Sequence, residues 1–120
     1  MNLEELLKEC MVDNNCLEEV NKLFKDNTFY TLVEEDEDGS YFVAVYDINK
    51  EKRNALYLYT SEDEVTFGAD YVELQYDDLV DLLSESDDTN YVVLNSDSLN
   101  VYFEVRTFLK EGKIVELFNC

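Results

Sequence analysis

Carboxylates are the most abundant side chains in this sequence that could do chemistry. Asp and Glu make up 29 of the 120 residues, Lys and Arg make up 9, and His is absent. Histidine is the commonest general base and metal ligand, so its absence removes the usual routes to acid–base and metal catalysis. Neighbouring acids are frequent, as at Glu62-Asp63-Glu64 and Asp77-Asp78. Catalytic carboxyl pairs need enclosed, dissimilar environments, whereas acids in loops and helix starts are usually solvated, so we expect no catalytic residue and no enzyme.

One acidic run resembles the start of a calcium loop. Glu34, Asp36 and Asp38 alternate before Gly39, but the twelfth position is Val45, where an EF-hand requires a bidentate Glu. The flanking residues favour strands rather than helices. We therefore predict an acidic hairpin turn at Asp38-Gly39, with no metal and no cofactor. A phosphate-binding loop is not expected either, because the three glycines are widely separated.

The cysteines and the N-terminal residues predict the compartment. Cys10, Cys16 and Cys120 form an odd set without a pairing or zinc motif, which indicates free thiols in a reducing environment. The first residues are acidic and lack the basic and apolar regions of a signal peptide. Apolar runs are too short to cross a bilayer. We therefore expect a cytoplasmic protein without a membrane partner.

The net charge of -20 narrows the class of partner, and its distribution narrows it further. Phosphate backbones and anionic membranes require basic surfaces, so direct binding to nucleic acid or membrane is not expected. Residues 54–105 contain 13 acids and no Lys or Arg. This segment has two interpretations: a surface that serves solubility or a salt-rich medium, or a surface that binds a basic protein.

The hydrophobic pattern predicts one α+β domain over residues 1–120. Apolar residues spaced three and four apart predict amphipathic helices in residues 1–27. Residues 28–118 predict a sheet-containing body, a mixed or antiparallel sheet of about five strands with one further short acidic helix after Tyr76. The N-terminal helices are expected to pack on this sheet. The conformation of residues 101–111 stays open, as strand followed by either helix or strand.

The order of these segments resembles the SseB N-terminal-domain family. The resemblance lies in the hairpin closed by Asp38-Gly39, a strand ending in Leu58-Tyr59-Thr60-Ser61, an acidic helix from Asp78 to Leu83, and the strand end Val93-Leu94-Asn95. It covers roughly residues 23–112. Tyr59 and Ser96 stand where the family has Phe and Pro. The resemblance implies a small bacterial α+β domain of poorly defined role, with no catalytic residues to transfer.

Tyrosines set among carboxylates predict where a protein partner binds. If Leu56 and Leu58 face the core, Tyr57 and Tyr59 point outward, and Tyr71 shares a face with Glu73. Tyrosine supplies contact area at low entropic cost, while acids steer association. The alternative is that these tyrosines lie under the N-terminal helices. The predicted partner-binding residues are Tyr57, Tyr59, Tyr71, Glu73, Glu62, Asp63, Glu64, Asp77 and Asp78.

The expected function is that of a non-enzymatic protein-binding domain with a basic protein partner. One version is an immunity or inhibitor protein that covers the cationic cleft of a nuclease-like toxin. The alternatives are a DNA mimic that targets a DNA-binding enzyme, for which carboxylates must be spaced like phosphates, and an SseB-like domain of unknown role. The oligomeric state stays open.

Overall fold

The computed structural model of the protein describes residues 2–11 and 16–119. This part of the chain contains four helices and eight strands in a mixed sheet, so the α+β prediction is confirmed. The helices are α1 (Leu3–Cys10), α2 (Leu17–Asp26), α3 (Tyr76–Glu85) and α4 (Val105–Glu111). The strands are β1 (Phe29–Glu35), β2 (Tyr41–Val43), β3 (Val45–Tyr46), β4 (Ala55–Tyr59), β5 (Tyr71–Leu74), β6 (Tyr91–Leu94), β7 (Val101–Glu104) and β8 (Phe118–Asn119).

The order of the main strands across the sheet is β5-β1-β4-β6-β7-β8. β4 and β6 run parallel, and the other pairs in the described chain are antiparallel. β2 pairs with the end of β1, and β3 pairs with the start of β4. β5 therefore lies at one edge of the sheet and β8 at the other.

The sheet has more strands than the approximately five that the sequence predicts. The β-rich run after Gly39 is divided at Ala44, where the backbone N–H donates to the Leu32 carbonyl at 3.0 Å. The two halves form β2 and β3, which pair with different strands. Short β7 and β8 add the remainder. Alternation in a sequence predicts strands, but bends and two-residue pairings depend on distant neighbours.

All four helices pack on the same face of the sheet. The spacing that predicts α1 places Leu3, Leu6, Leu7 and Cys10 in the core, and each is at most 4% exposed. From the sheet, Leu56, Leu58, Val92 and Leu94 enter the same cluster. The predicted packing of the N-terminal helices on the sheet is therefore confirmed.

Residues 101–111, whose conformation the sequence did not determine, form a strand and then a helix. β7 ends at Glu104, and α4 begins at the next residue. Val105 and Phe108 are buried three residues apart, as expected for the inner face of a helix. Gly112 ends α4 in the left-handed conformation, with φ 71°, a geometry that glycine adopts without a steric penalty.

A disulfide joins the two N-terminal helices. The Sγ atoms of Cys10 and Cys16 are 2.14 Å apart, so the prediction of free thiols is wrong for these two residues. Cys10 ends α1, and Cys16 immediately precedes α2. Their proximity depends on how the two helices pack, which the six-residue separation alone does not determine. Cys120 lies outside the described residues.

Candidate functional site

The face of the sheet opposite the helices is rich in tyrosine. Side chains alternate between the two faces of a strand, and paired residues share a face. Because Leu56 and Leu58 meet the helices, Tyr57 must lie on the other face, as must Tyr59, which pairs with Tyr30. Following the register across the sheet defines the tyrosine face as Tyr30, Tyr46, Tyr57, Tyr59, Tyr71, Tyr91 and Tyr102.

Two connecting segments partly cover the tyrosine face. Residues 61–70 contribute Val65 and Ala69 to a cluster around Tyr59. Residues 47–54 contribute Ile48 to a second cluster around Tyr102. The tyrosines therefore do not lie under the N-terminal helices, which pack on the opposite face.

Tyr59 is buried, which contradicts its prediction as an exposed partner-binding residue. Its side chain is 0% exposed, and its hydroxyl lies 3.0 Å from both the Thr66 and the Ser96 hydroxyls. Thr66 Oγ1 in turn donates to Asp97 Oδ2 at 2.7 Å. This network fastens residues 61–70 to the loop after β6. The alternation argument assigned Tyr59 to the correct face, but that face is covered at this point.

Tyr57 is half-buried rather than freely outward. Its ring centroid lies 5.3 Å from that of Tyr46 at an angle of 55°, and Tyr46 donates its hydroxyl to Glu34 Oε1 at 3.0 Å. Burial first, and the hydrogen bond and charge of Glu34 next, raise the pKa of Tyr46 above its ordinary value. This pair fills the centre of the tyrosine face and is accessible at its rim.

The predicted residues that the structure brings together lie at the edge strand β5. Tyr71 is 40% exposed, Glu73 is exposed, and the Tyr71 ring packs edge-on against Tyr30 at 5.7 Å. Desolvation raises the pKa of Tyr30, and the negative charges of Glu62 and Glu73 raise it further. The negative charges of both carboxylates therefore lie near the Tyr30 hydroxyl. We define the β5 edge patch as Tyr30, Glu62, Tyr71, Val72 and Glu73.

The remaining predicted acids are divided between surface and structural positions. Asp63 and Asp77 are exposed, in the 3₁₀ turn Glu62–Glu64 and the first turn of α3 respectively. Glu64 is half-buried and accepts the Ser98 hydroxyl at 2.7 Å. Asp78 accepts from the Gln75 N–H at 3.0 Å and caps α3. Glu64 and Asp78 therefore have local hydrogen-bonding roles.

Three residues were not predicted from the sequence: Tyr30 and Val72 of the β5 edge patch, and Phe67 in the covering segment 61–70. Tyr30 pairs with Glu73, and Val72 is 39% exposed on the opposite side of β5. Phe67 is 103% exposed at a turn in which the Ala69 N–H donates to the Thr66 carbonyl at 3.1 Å. Gly68 provides the positive φ, 81°, that the third position of a type II turn requires. The sequence could have indicated this exposed aromatic, because Phe67 directly precedes a glycine in the turn-forming triplet Thr66-Phe67-Gly68.

Other acidic clusters show structural rather than catalytic arrangements. At the β1–β2 turn, Asp38 Oδ1 accepts the Ser40 N–H at 2.9 Å, and this bond lowers the pKa of Asp38. Gly39 has φ 88°, so the predicted hairpin turn is confirmed. Within residues 2–11 and 16–119, no three His, Cys, Asp or Glu side chains are grouped as metal ligands.

A crevice on the helix side also lacks a recognisable catalytic arrangement. It has a volume of about 480 Å³ and lies between α3, α4 and the start of β6. Its hydroxyl-bearing residues are Ser84, Ser86, Thr89 and Tyr91, of which Ser86 and Thr89 bond to each other at 2.7 Å. A hydroxyl becomes a nucleophile only beside an enclosed base. Among the residues described around this crevice, the carboxylates are those of Asp87 and Glu104, and both are exposed to solvent at its rim.

None of the helices in the described chain is long and apolar enough to cross a membrane. No protein-family model, curated protein or solved structure matches this sequence. The resemblance to the SseB N-terminal domain therefore stays a prediction.

Proposed function

We propose that this protein is a non-enzymatic binding protein that docks on a basic protein through the β5 edge patch. The observation that carries the proposal is the contact of exposed Tyr71 with half-buried Tyr30, whose ring centroids are 5.7 Å apart, and the pairing of Tyr30 with exposed Glu73 in the β1–β5 register. Tyrosine pairs offer rigid, amphipathic contact area, and carboxylates around them favour a cationic partner.

The charge distribution gives this docking a direction. Apart from Tyr30, the residues of the β5 edge patch lie within residues 54–105, a segment that contains no Lys or Arg. At the other end of the tyrosine face, Lys52 Nζ lies 6.0 Å from the centre of the Tyr102 ring, next to Lys50 and Arg53 in sequence. A basic surface is therefore attracted more strongly to the β5 end than to the end that carries these three cations, which orients the complex.

The finer proposal concerns the identity of the partner. An immunity or inhibitor protein that covers the cationic cleft of a nuclease-like toxin has the required acidity and a compact tyrosine anchor. We place the protein in the bacterial cytoplasm as part of this proposal, on the basis of the SseB resemblance. The cysteines no longer favour a reducing compartment, since disulfides are rare there and Cys10 is bonded to Cys16.

The proposal predicts that patch substitutions abolish capture of a basic protein from a host extract. The test variant is Y71A/E73Q, and the matched control is L109A/E111Q on α4. Leu109 is 38% exposed and Tyr71 is 40% exposed, so the two variants truncate similarly exposed side chains and remove the same charge. α4 lies on the helix face beside β7, which three strands separate from β5.

We expect wild type and the control to retain one basic protein, and the patch variant to bind it at least about tenfold more weakly, because an interfacial anchor contributes about 2 kcal/mol or more. Equal binding by both variants would contradict the proposal. Affinity should also fall as ionic strength rises, because screening weakens attraction between exposed charges.

Competition with duplex DNA separates the inhibitor from the DNA mimic. Glu62 and Glu73 converge on one ring, which favours a compact patch over a row of phosphate-like charges. If the captured protein binds DNA and the complex survives the Y71A/E73Q substitution yet dissociates with duplex DNA, the mimic is the better description.

A further inference from the structure

The outer edge of β5 has a defined hydrogen-bonding pattern. The Val33 N–H donates to the Asp70 carbonyl at 3.0 Å, which continues the β1–β5 register of Thr31 with Val72 and Phe29 with Leu74. In an antiparallel pair, every second residue bonds to its neighbouring strand. Val72 and Leu74 therefore direct their backbone groups to β1.

It follows that Tyr71 and Glu73 direct their N–H and C=O groups away from β1. In the part of the chain that the structure describes, β5 pairs with β1 and no strand lies on its other side. Two donors and two acceptors therefore face outward in the spacing that an added strand requires.

The side chains of β5 suit an added strand on both faces. Tyr71 and Glu73 project on the tyrosine face, and Val72 projects on the helix face with 39% of its surface exposed. An added strand whose residues alternate between cationic and apolar would place the cations beside Glu73 and the Tyr71 ring. Its apolar residues would lie beside Val72.

We infer that the basic partner binds by adding an extended Lys- or Arg-containing segment as a strand to the outer edge of β5. The inference rests on the proposed function and specifies how the β5 edge patch is used. Main-chain hydrogen bonds to Tyr71 and Glu73 supply affinity, and the flanking side chains select an alternating basic sequence.

A second copy of this chain is a poorer occupant of the same edge. Pairing β5 with β5 would bring Asp70 and Glu73 of both copies onto adjacent strands, and each copy carries a net charge of -20. Like charges on paired strands are destabilising. The acids therefore oppose self-association while they favour a cationic strand.

The test uses a heptapeptide of alternating lysine and valine with blocked ends, followed by amide hydrogen exchange in the full-length protein. In the free protein we expect rapid exchange at Tyr71 and Glu73 and protection at Val72 and Leu74. The peptide should slow exchange at Tyr71 and Glu73 at least about tenfold, because new hydrogen bonds must open before exchange. The same peptide with glutamate in place of lysine is the charge control.

Methylated peptides test the backbone contribution without changing charge. In a strand, alternate amides face opposite edges, so N-methylation of one alternate set should abolish binding while methylation of the other set preserves it. If both sets have the same effect, the strand inference is overturned. Failure of the unmodified peptide to bind at millimolar concentration also overturns it.

A substitution in β5 provides the complementary test. Glu73→Pro removes one outward N–H and leaves the bonds from Val72 and Leu74 to β1 in place, since proline is tolerated at strand edges when its nitrogen faces solvent. Glu73→Gln removes the same charge and keeps the N–H. We expect the proline variant to bind peptide at least about fivefold more weakly than the glutamine variant, because one hydrogen bond contributes about 1 kcal/mol.

The outcomes separate this inference from the proposed function. If the patch substitutions abolish capture of the host protein but exchange at Tyr71 and Glu73 is unchanged in the complex, the patch binds through side chains and strand addition is wrong. Protection at these amides that appears with rising protein concentration and no peptide would identify a second copy as the occupant, which also overturns the inference. Capture that is insensitive to the patch substitutions overturns the proposed function itself.

Discussion

The two faces of the sheet are closed by different kinds of side chain. The helix face is filled by aliphatic residues and phenylalanine beneath four helices, and Leu58 and Phe29 there are 0% exposed. The tyrosine face is covered by two connecting segments, and most of its rings remain half-buried or exposed. Irregular segments bring polar groups, which phenolic hydroxyls can bond. We expect the helix face to provide most of the stability, whereas the proposed recognition belongs to the tyrosine face.

The largest test of this comparison is a cavity on the helix face. Leu58→Ala should lower the free energy of unfolding by about 2–5 kcal/mol, because the side chain is fully buried in a packed cluster. Urea denaturation measures the change. Val115→Ala is the control: Val115 is 40% exposed, so its loss should cost under about 0.5 kcal/mol. Similar costs for the two variants would mean that the helix face does not dominate stability.

The disulfide on the helix side should have the next largest effect. Cys10 and Cys16 are six residues apart. Closing so short a loop lowers the conformational entropy of the unfolded chain, which stabilises the folded protein by about 2 kcal/mol. The double variant C10S/C16S should lose that amount in oxidising buffer. Reductant should destabilise wild type and leave the double variant unchanged. A thiol assay on unfolded, unreduced wild type should detect one thiol from the three cysteines, and detection of three would contradict the disulfide.

The hydroxyl of Tyr59 tests the tyrosine face in isolation. Tyr59→Phe keeps the ring and removes the partner of Thr66 and Ser96, so unfolding should become easier by about 1–2 kcal/mol. Tyr71→Phe changes an exposed hydroxyl and should cost under about 0.5 kcal/mol. Thermal unfolding measures both variants. If both cost the same, the network does not hold residues 61–70 in place.

Local periodicity predicted the helix face well. The three- and four-residue spacing identified the inner residues of α1 and α2, and alternation along β4 assigned Leu56 and Leu58 to the core. These signals succeed because a helix or strand determines the direction of its own side chains. The division at Ala44 and the start of α4 depend on pairing between distant segments, which local patterns do not encode.

The proposed binding surface, the β5 edge patch, was predicted only in part, for the same reason. Tyr71 and Glu73 were found because both belong to one alternating strand. Tyr30 joins them through the β1–β5 register, and Tyr59 is covered by residues from a different segment. The contact between Cys10 and Cys16 likewise depends on how α1 meets α2. Each of these features needs long-range geometry.

The smallest expected effect is a pH dependence that arises at the centre of the tyrosine face. Tyr46 has an ordinary pKa of 10.0, and burial and Glu34 raise it in the folded protein. The folded state therefore holds the phenolic proton more tightly than the unfolded state does. This contribution to stability is fully present below pH 10 and is lost as pH rises through the raised pKa of Tyr46. Unfolding measured on both sides of that range should show the loss, reduced in Tyr46→Phe.

Glu34→Gln separates the two causes of this effect. The amide oxygen can still accept the Tyr46 hydroxyl, but the negative charge is gone, so the pKa of Tyr46 should fall toward its ordinary value while burial keeps it raised. Near-ultraviolet absorbance of the tyrosinate follows the titration. The difference between the wild-type and Tyr46→Phe titrations isolates Tyr46, and a midpoint at its ordinary pKa in wild type would show that this ring is as accessible to solvent as an exposed tyrosine. The centre of the tyrosine face would then be as open to solvent as the β5 edge patch.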